Sequence, residues 1–391
     1  MGGTLTSRML VAATLAAYMG GCQWVLDIRD ISPTVDGGDC DQWAPLHFSP
    51  CTAAKPISEL ILAIPGRYAY DTNTGQLIDP DGQAVEHSGE SVAQDRGDLW
   101  LIAVHKLTIA ANTELRAEGN RPLLIASWST VSVDGTIDVS SVAGRPGAGA
   151  NRDCEGTAAG PGSSGQNKAG GGGGGGGFQG NGGAGAVGDL DQGDGGAGGG
   201  KIGHSIVIRG GCPGARGASG GALGSKGGSG GDGGGAIHVT ARERIEVRGR
   251  VLAGGAGGGG ALMGLPVSGG GGGGSGGYIG FDAPEVTIYD GAVLAANGGG
   301  GGEGSDYDQA GNPGSDGSAS IESAAGGSGG SNYGADGGAG GSRDTPDGGT
   351  PVAQQGGGGG GGGGGVGFIL LYSGKFLALN ATISPRAIEV D

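Results

Sequence analysis

Five cysteines, five histidines and a scatter of aspartates are the residues of this 391-residue chain best able to do chemistry. Cys40, Cys51, Cys154 and Cys212 form an even set, which in an exported chain points to disulfides; four cysteines allow three pairings. The local arrangement, Cys40 with Cys51 and Cys154 with Cys212, is the expected one. Its second bridge would staple the base of a long glycine-rich excursion, where loop-closure entropy is greatest. Zinc is the competing chemistry. No C-x-x-C pair and no histidine pair at ligand spacing is present, so no metal and no cofactor are expected. His47, His87, His105, His204 and His238 are scattered, which favours structural or surface roles over proton transfer. His105 and His238 fall in strand-like runs and are expected to meet across rungs.

Other constellations are thinner. Ser219, Ser229, Ser275 and Ser328 each sit in a G-x-S-x-G match, but all four lie in glycine-rich tracts with no strand-to-helix turn to aim the hydroxyl. G-x-G-x-x-G matches arise by composition and none opens a helix, so a dinucleotide site is not expected. Hydrolysis or lysis of a polysaccharide needs paired carboxylates, or a base beside calcium-binding acids. Asp134 and Asp138 share one strand face, yet the aligned copy offers Arg248 and Leu252, so no ladder of acids forms. Asp189, Asp191 and Asp194, and again Asp306, Asp308 and Asp316, lie among glycines as in calcium-binding repeats, but no nonapeptide runs in tandem. No catalytic residue is assigned, and the chain is read as a non-enzyme.

Composition sets the frame for those residues. Glycine contributes 104 residues and aromatics only 4%, against a usual glycine share of roughly 7%. Such a chain cannot build a side-chain core along its whole length. The net charge of −16 argues against nucleic acid as a partner, because a basic stripe supplies most of that affinity.

Arg8 supplies a short basic region, and Met9–Ala17 is an apolar stretch too short to span a bilayer. Met19-Gly-Gly-Cys22 follows. This resembles a bacterial lipobox, with methionine where leucine is usual. The resemblance implies a signal peptide over 1–21, lipidation of Cys22 and a membrane partner through that anchor. Gln23 rather than aspartate implies the outer membrane; plain secretion is the alternative.

A strand phrase recurs five times: Leu107–Leu115, Val131–Val139, Ile245–Val251, Val286–Val293 and Leu377–Ile383. Its grammar is apolar-x-apolar, a tight turn often carrying glycine, then apolar again. Period-2 alternation puts Val131, Val133, Ile137 and Val139 on one side, with Ser132, Asp134, Thr136 and Asp138 on the other. Ile245, Val247 and Val251 likewise oppose Arg244, Glu246, Arg248 and Arg250, a solvated outer face. Gly135 and Gly249 fall at a corner, where a positive φ would cost little. Two strands per repeat are expected, the first being runs such as Ala236–Val239. The fold class is all-β, a parallel β-helix-like solenoid of about five rungs, with a sandwich of hairpins as its rival. Residues 22–97 are expected to form an N-terminal cap and linker, and 98–391 the repeats. Glycine-rich insertions are expected at about 144–235, 254–277 and 298–365. A lone extended glycine strand should melt, because fixing each residue costs about 1–2 kcal/mol against about 1 kcal/mol per hydrogen bond. The tracts are therefore either polyglycine-II-like bundles or disordered tethers.

The lipobox-like signal, phrases such as Val131-Ser-Val-Asp-Gly-Thr-Ile-Asp-Val139 and runs such as Gly356–Gly365 together resemble the glycine-rich exported PGRS-like proteins of soil bacteria such as myxobacteria. The resemblance covers about 98–391. It implies a cell-surface location and no established catalysis, and it carries no functional residues to transfer. The chain lacks the N-terminal helical domain of mycobacterial members. The expected function is thus that of a non-enzymatic surface lipoprotein with a structural, adhesive or spacer role, touching extracellular matrix or polysaccharide. The alternatives are a carbohydrate-binding or carbohydrate-active β-helix protein and a calcium-dependent surface module.

Overall fold

A computed structural model describes residues 43–53, 56, 58–154, 156–164, 169–189, 193–203, 207–220 and 226–390. The expected signal peptide, Cys22 and Cys40 lie outside the described residues. The chain divides into two compact units, Met1–Ala44 and Pro45–Asp391; everything that follows concerns the second.

The fold is all-β, built on three mostly parallel sheets. Strands are numbered along the chain. The first sheet holds β1 (Leu60–Leu62), β6 (Leu107–Ile109), β9 (Thr130–Val133), β12 (Arg244–Val247), β15 (Glu285–Ile288) and β18 (Lys375–Ala378). The second holds β2 (Gly66–Asp71), β3 (Gln76–Ile78), β7 (Thr113–Glu118), β10 (Thr136–Asp138), β13 (Arg250–Leu252), β16 (Val293–Ala295) and β19 (Thr382–Ser384). The third holds β4 (Ser88–Gln94), β5 (Gly97–Val104), β8 (Leu123–Ser127), β11 (Ala236–Ala241), β14 (Tyr278–Asp282), β17 (Phe368–Tyr372) and β20 (Ile388–Glu389). From β5 onward the chain visits the third, first and second sheets in turn, adding one strand to each.

Two expectations change here. Each repeat carries three strands, not two, because the phrase bends at its glycine: Val131-Ser-Val lies in the first sheet and Thr136-Ile-Asp in the second. The stacking also begins at Leu60, inside the region expected to be cap, since β1 pairs with β6 and β2 with β7, both in parallel. Antiparallel pairing between described strands is confined to β2 with β3 and β4 with β5, so hairpins do not build the stack.

Alternation and register give the core. Leu107, Val131, Ile245 and Val286 lie opposite one another across successive strands, as do Leu115, Ile137, Val251 and Leu294. Ile125, Val239, Phe281 and Leu371 form the matching ladder in the third sheet. All of these side chains are buried in one cluster. Burying each such side chain contributes about 1.5–3 kcal/mol. Gly135 and Gly249 do sit at the corner, but neither has a positive φ. They are needed for close approach: a Cβ on Gly249 would lie 1.8 Å from the Gly135 carbonyl oxygen.

The three glycine-rich insertions all leave after a second-sheet strand and return to the third sheet, between β10 and β11, β13 and β14, and β16 and β17. Stacking therefore brings them alongside one another. Their described tracts are ordered by backbone hydrogen bonds with a period of three. In the tract 170–176, Gly172 and Gly175 donate to Ala186 and Gly183; Gly173 and Gly176 donate to Gly270 and Gly273; Gly171 and Gly174 donate to Ser163 and Gly160. The carbonyls of Gly170, Gly173 and Gly176 accept from Gly359, Gly362 and Gly365, those of Gly171 and Gly174 from Ala218 and Ala215, and those of Gly172 and Gly175 from Gly196 and Gly199. One tract thus bonds to six neighbouring segments and leaves no amide idle. A side chain has no place there: a Cβ on Gly172 would lie 1.9 Å from the Gly360 oxygen, and one on Gly361 1.9 Å from the Gly271 oxygen. The α-hydrogens that stand in those directions add weak Cα–H···O contacts.

Candidate functional site

The outer face of the second sheet gathers the charged residues. Register sets Arg67 beside Glu114, and Arg116 beside Asp138. Arg67 Nε lies 3.0 Å from Glu114 Oε1. Arg116 is buried and bridges two acids, its Nη1 3.0 Å from Asp138 Oδ2 and its Nε 3.0 Å from Glu118 Oε1. Arg145, from the start of the first insertion, reaches the same Glu118 oxygen at 2.6 Å. Burial acts to raise the Glu118 carboxyl, but the hydrogen bonds from Arg116 and Arg145 outweigh it and hold the group below the usual carboxylate range. A general acid needs the opposite shift. The ion pairs hold the charges of this ladder in place.

Asp138 lies opposite Leu252, as the repeat alignment expects. Arg248 joins Glu246 at 3.1 Å and Asp134 at 3.6 Å and stacks over Tyr289, and Arg244 lies 3.6 Å from Glu246, so these two arginines share a mixed ion-pair face.

A second polar cluster, with no spacing signal in the sequence, lies on the outer face of the third sheet. His238 is buried and its Nδ1 is 3.0 Å from the Tyr278 hydroxyl. Gly280 makes room, since a Cβ there would lie 2.3 Å from His238 Nδ1. His47 packs its ring edge-on at 4.4 Å, so the expected His105–His238 pairing is replaced by His47–His238. His105 instead follows β5 in a turn and is exposed. The segment around His47 is held by the Leu46 N–H on Asp282 Oδ2 at 3.0 Å and by Phe48 against Trp128. Neither His47 Nε2 nor His238 Nε2 has a hydrogen-bond partner among the described residues.

Burial favours the neutral forms in this cluster. It lowers His47 to about 4 and His238 well below its ordinary value, with the neighbouring His47 adding to the latter shift. It raises Tyr278 and Asp282, the second against the Leu46 N–H. Below about pH 6.5 the unfolded histidines take up protons that the folded ones refuse. Their contribution to stability is complete above that pH and is lost as pH falls towards 4. Asp282 works in the opposite direction, more weakly. We therefore expect the melting temperature to fall by several degrees from pH 7 to pH 4.5, and His47→Phe to flatten that slope. A slope unchanged in the variant would remove His47 from the account.

The acids among glycines serve the backbone. Both oxygens of the buried Glu303 accept, from the N–H groups of Asn312 and Gly330 and from the N–H and hydroxyl of Ser331. Asp306 accepts from the Asp308, Gln309 and Asn332 N–H groups. Asp316 and Asp189 accept from Gly257 and Gly356; Asp191 lies outside the described residues. No group of three or more His, Cys, Asp or Glu side chains is set to hold a metal among the described residues. Ser275, one of the motif serines, spends its hydroxyl on the backbone N–H and carbonyl of Cys212.

Cys154 and Cys212 are joined, with Cα atoms 5.7 Å apart. Cys51 is also disulfide-bonded. Arg209 seals the first bridge, with Nη2 3.2 Å from Cys212 Sγ and its guanidinium over the Phe178 ring.

Open hollows adjoin the ladder, two of them overlapping. One of about 530 Å³ is lined by Arg67, Arg116, Glu118, Arg145, Asn73 and Asn120 among others. The second, of about 620 Å³, shares Asn73, Gly119, Asn120 and Pro146 with it and adds Asp98, Arg121 and Arg152. Compared with protein-family models, curated proteins and solved structures, the chain matches none.

Proposed function

We propose that this chain is a non-enzymatic cell-surface lipoprotein with a structural, adhesive or spacer role. Its three sheets are read as a parallel β-helix-like solenoid of about five rungs, whose glycine tracts pack in the manner of polyglycine II. The observation that carries this reading is the tract 170–176, bonded through its backbone to six neighbours. A body made almost wholly of peptide groups offers few side chains for catalysis but resists bending from every side. That suits a spacer or a scaffold held away from a membrane. The ion-paired ladder on the second sheet agrees, since its carboxylates are committed to arginines.

Mass spectrometry of the mature protein from the membrane fraction tests the anchor. A lipid-modified Cys22 is expected as the first residue; an unmodified amine past Cys22 would end that part of the reading. Incubation of the same preparation with acidic and neutral polysaccharides is expected to leave their lengths unchanged. Turnover that disappears on changing one outer-face acid would defeat the non-enzymatic role.

A further inference from the structure

In this strongly acidic chain, two arginines line one hollow without an acid bound to either among the described residues. Arg121 donates through Nη1 to the carbonyls of Thr72 and Asn73, at 3.2 and 3.0 Å, and lies over the Trp100 ring. Arg152 donates through Nη1 to the carbonyls of Asp98 and Asn120, at 3.0 and 3.2 Å. Carbonyl oxygens fix the position of a guanidinium but do not cancel its charge. Arg67, Arg116, Arg145 and Arg248, by contrast, are each matched to a carboxylate.

The backbone is shaped around this pair. Gly97 has φ +88°, and a Cβ there would lie 1.9 Å from Arg152 Nη2. Gly119 has φ +117°, and its Cβ would strike the Thr72 hydroxyl. The hollow is also lined by Asn73 and the exposed Asn120. Asn73 Oδ1 accepts the Asn120 backbone N–H at 2.9 Å, which leaves its amide nitrogen as a donor. Among the described residues Asp98 is the one acid lining the hollow.

We propose that this hollow binds a carboxylate-bearing sugar unit of an acidic polysaccharide. Arg121 and Arg152 take the carboxylate, as guanidinium groups do with planar oxyanions. The amides of Asn73 and Asn120, able to donate and accept, meet hydroxyl groups. The neighbouring hollow, past Arg145 and Arg67, extends the track for further units. Nucleic acid is set aside by the ring beneath Arg121: that guanidinium covers the face of Trp100, which offers no platform there for base stacking. The site goes beyond the spacer role and stands whether or not Cys22 carries lipid.

Calorimetric titration of the full chain with oligogalacturonate at low salt tests this. Saturable binding is expected, weakening as salt rises, with no binding of a neutral gluco-oligosaccharide. Arg121→Ala and Arg152→Ala should each weaken it about tenfold or more, while Arg386→Ala should not. Asn120→Asp, which places a negative charge at the exposed rim beside the arginines while keeping the backbone carbonyl that Arg152 donates to, should weaken it similarly in a chain of unchanged circular dichroism. Loss in that variant keeps the test decisive if an arginine variant fails to fold. The proposal is overturned by absence of binding, by equal binding of the neutral sugar, or by binding that survives Asn120→Asp in the folded chain. It is overturned equally by inorganic phosphate or a single-stranded oligonucleotide binding as tightly as the oligogalacturonate.

Discussion

Gly361→Ala is expected to destabilise the protein by about 3 kcal/mol or more, at the upper end of what overpacking usually costs. The added methyl would lie 1.9 Å from the Gly271 oxygen and 2.9 Å from the Gly272 nitrogen. Both are backbone atoms, so no rotamer change relieves the clash. Gly361 also donates to Gly302 and accepts from Gly338, and moving it disturbs those segments too. Gly203→Ala is the matched control, because nothing lies within 4 Å of a Cβ there and no positive φ is involved; it should be neutral or slightly stabilising. Urea unfolding of the two variants checks this. Equal, small effects would mean that the tracts are not packed as described.

Removing the Cys154–Cys212 bridge is expected to have the next largest effect. The bridge closes a loop with a sequence separation of 58, for which the chain-entropy relation gives about 4 kcal/mol. The double change Cys154→Ser with Cys212→Ser should lower the urea midpoint accordingly, with Arg209 left over a site that no longer holds its sulfur partners. A loss under about 1 kcal/mol would mean that the unfolded chain is already constrained near this loop, against the glycine-rich composition between the two residues.

Much of the stack was legible because strands carry their facing in a period of two. Val131, Val133 and Ile137 read as inward from the sequence and are buried. The bend at Gly135 was harder to read. The sequence pattern runs straight through it, and only packing reveals that a second sheet starts there. The same residue shows why a glycine's reason is hidden: Gly135 and Gly249 serve approach between layers rather than an unusual φ. The insertions gave still less, since a run such as Gly170–Gly177 has no side chains to say which segment lies beside it. Their order depends on partners far along the chain, such as Gly173 on Gly270 and Gly362 on Gly173. The polar clusters were illegible for a related reason. His47 meets His238, and Arg121 meets the same hollow as Arg152, through loops whose separation follows no fixed spacing.

The three-residue period of the tracts carries one last consequence. In a uniform glycine run, sliding a segment along its axis by three positions returns every amide to the same neighbour, so the peptide groups alone leave the alignment degenerate. Chemically distinct residues at the margins must break that degeneracy. Ser268 and Ser275 do so by accepting the N–H groups of Gly220 and Cys212. Asn297 does so by donating to the carbonyls of Ser318 and Ser320 and accepting from Ser384, and the Glu303 carboxylate clasps two loops at once. These few side chains act as a vernier that selects one setting of an otherwise repeating scale.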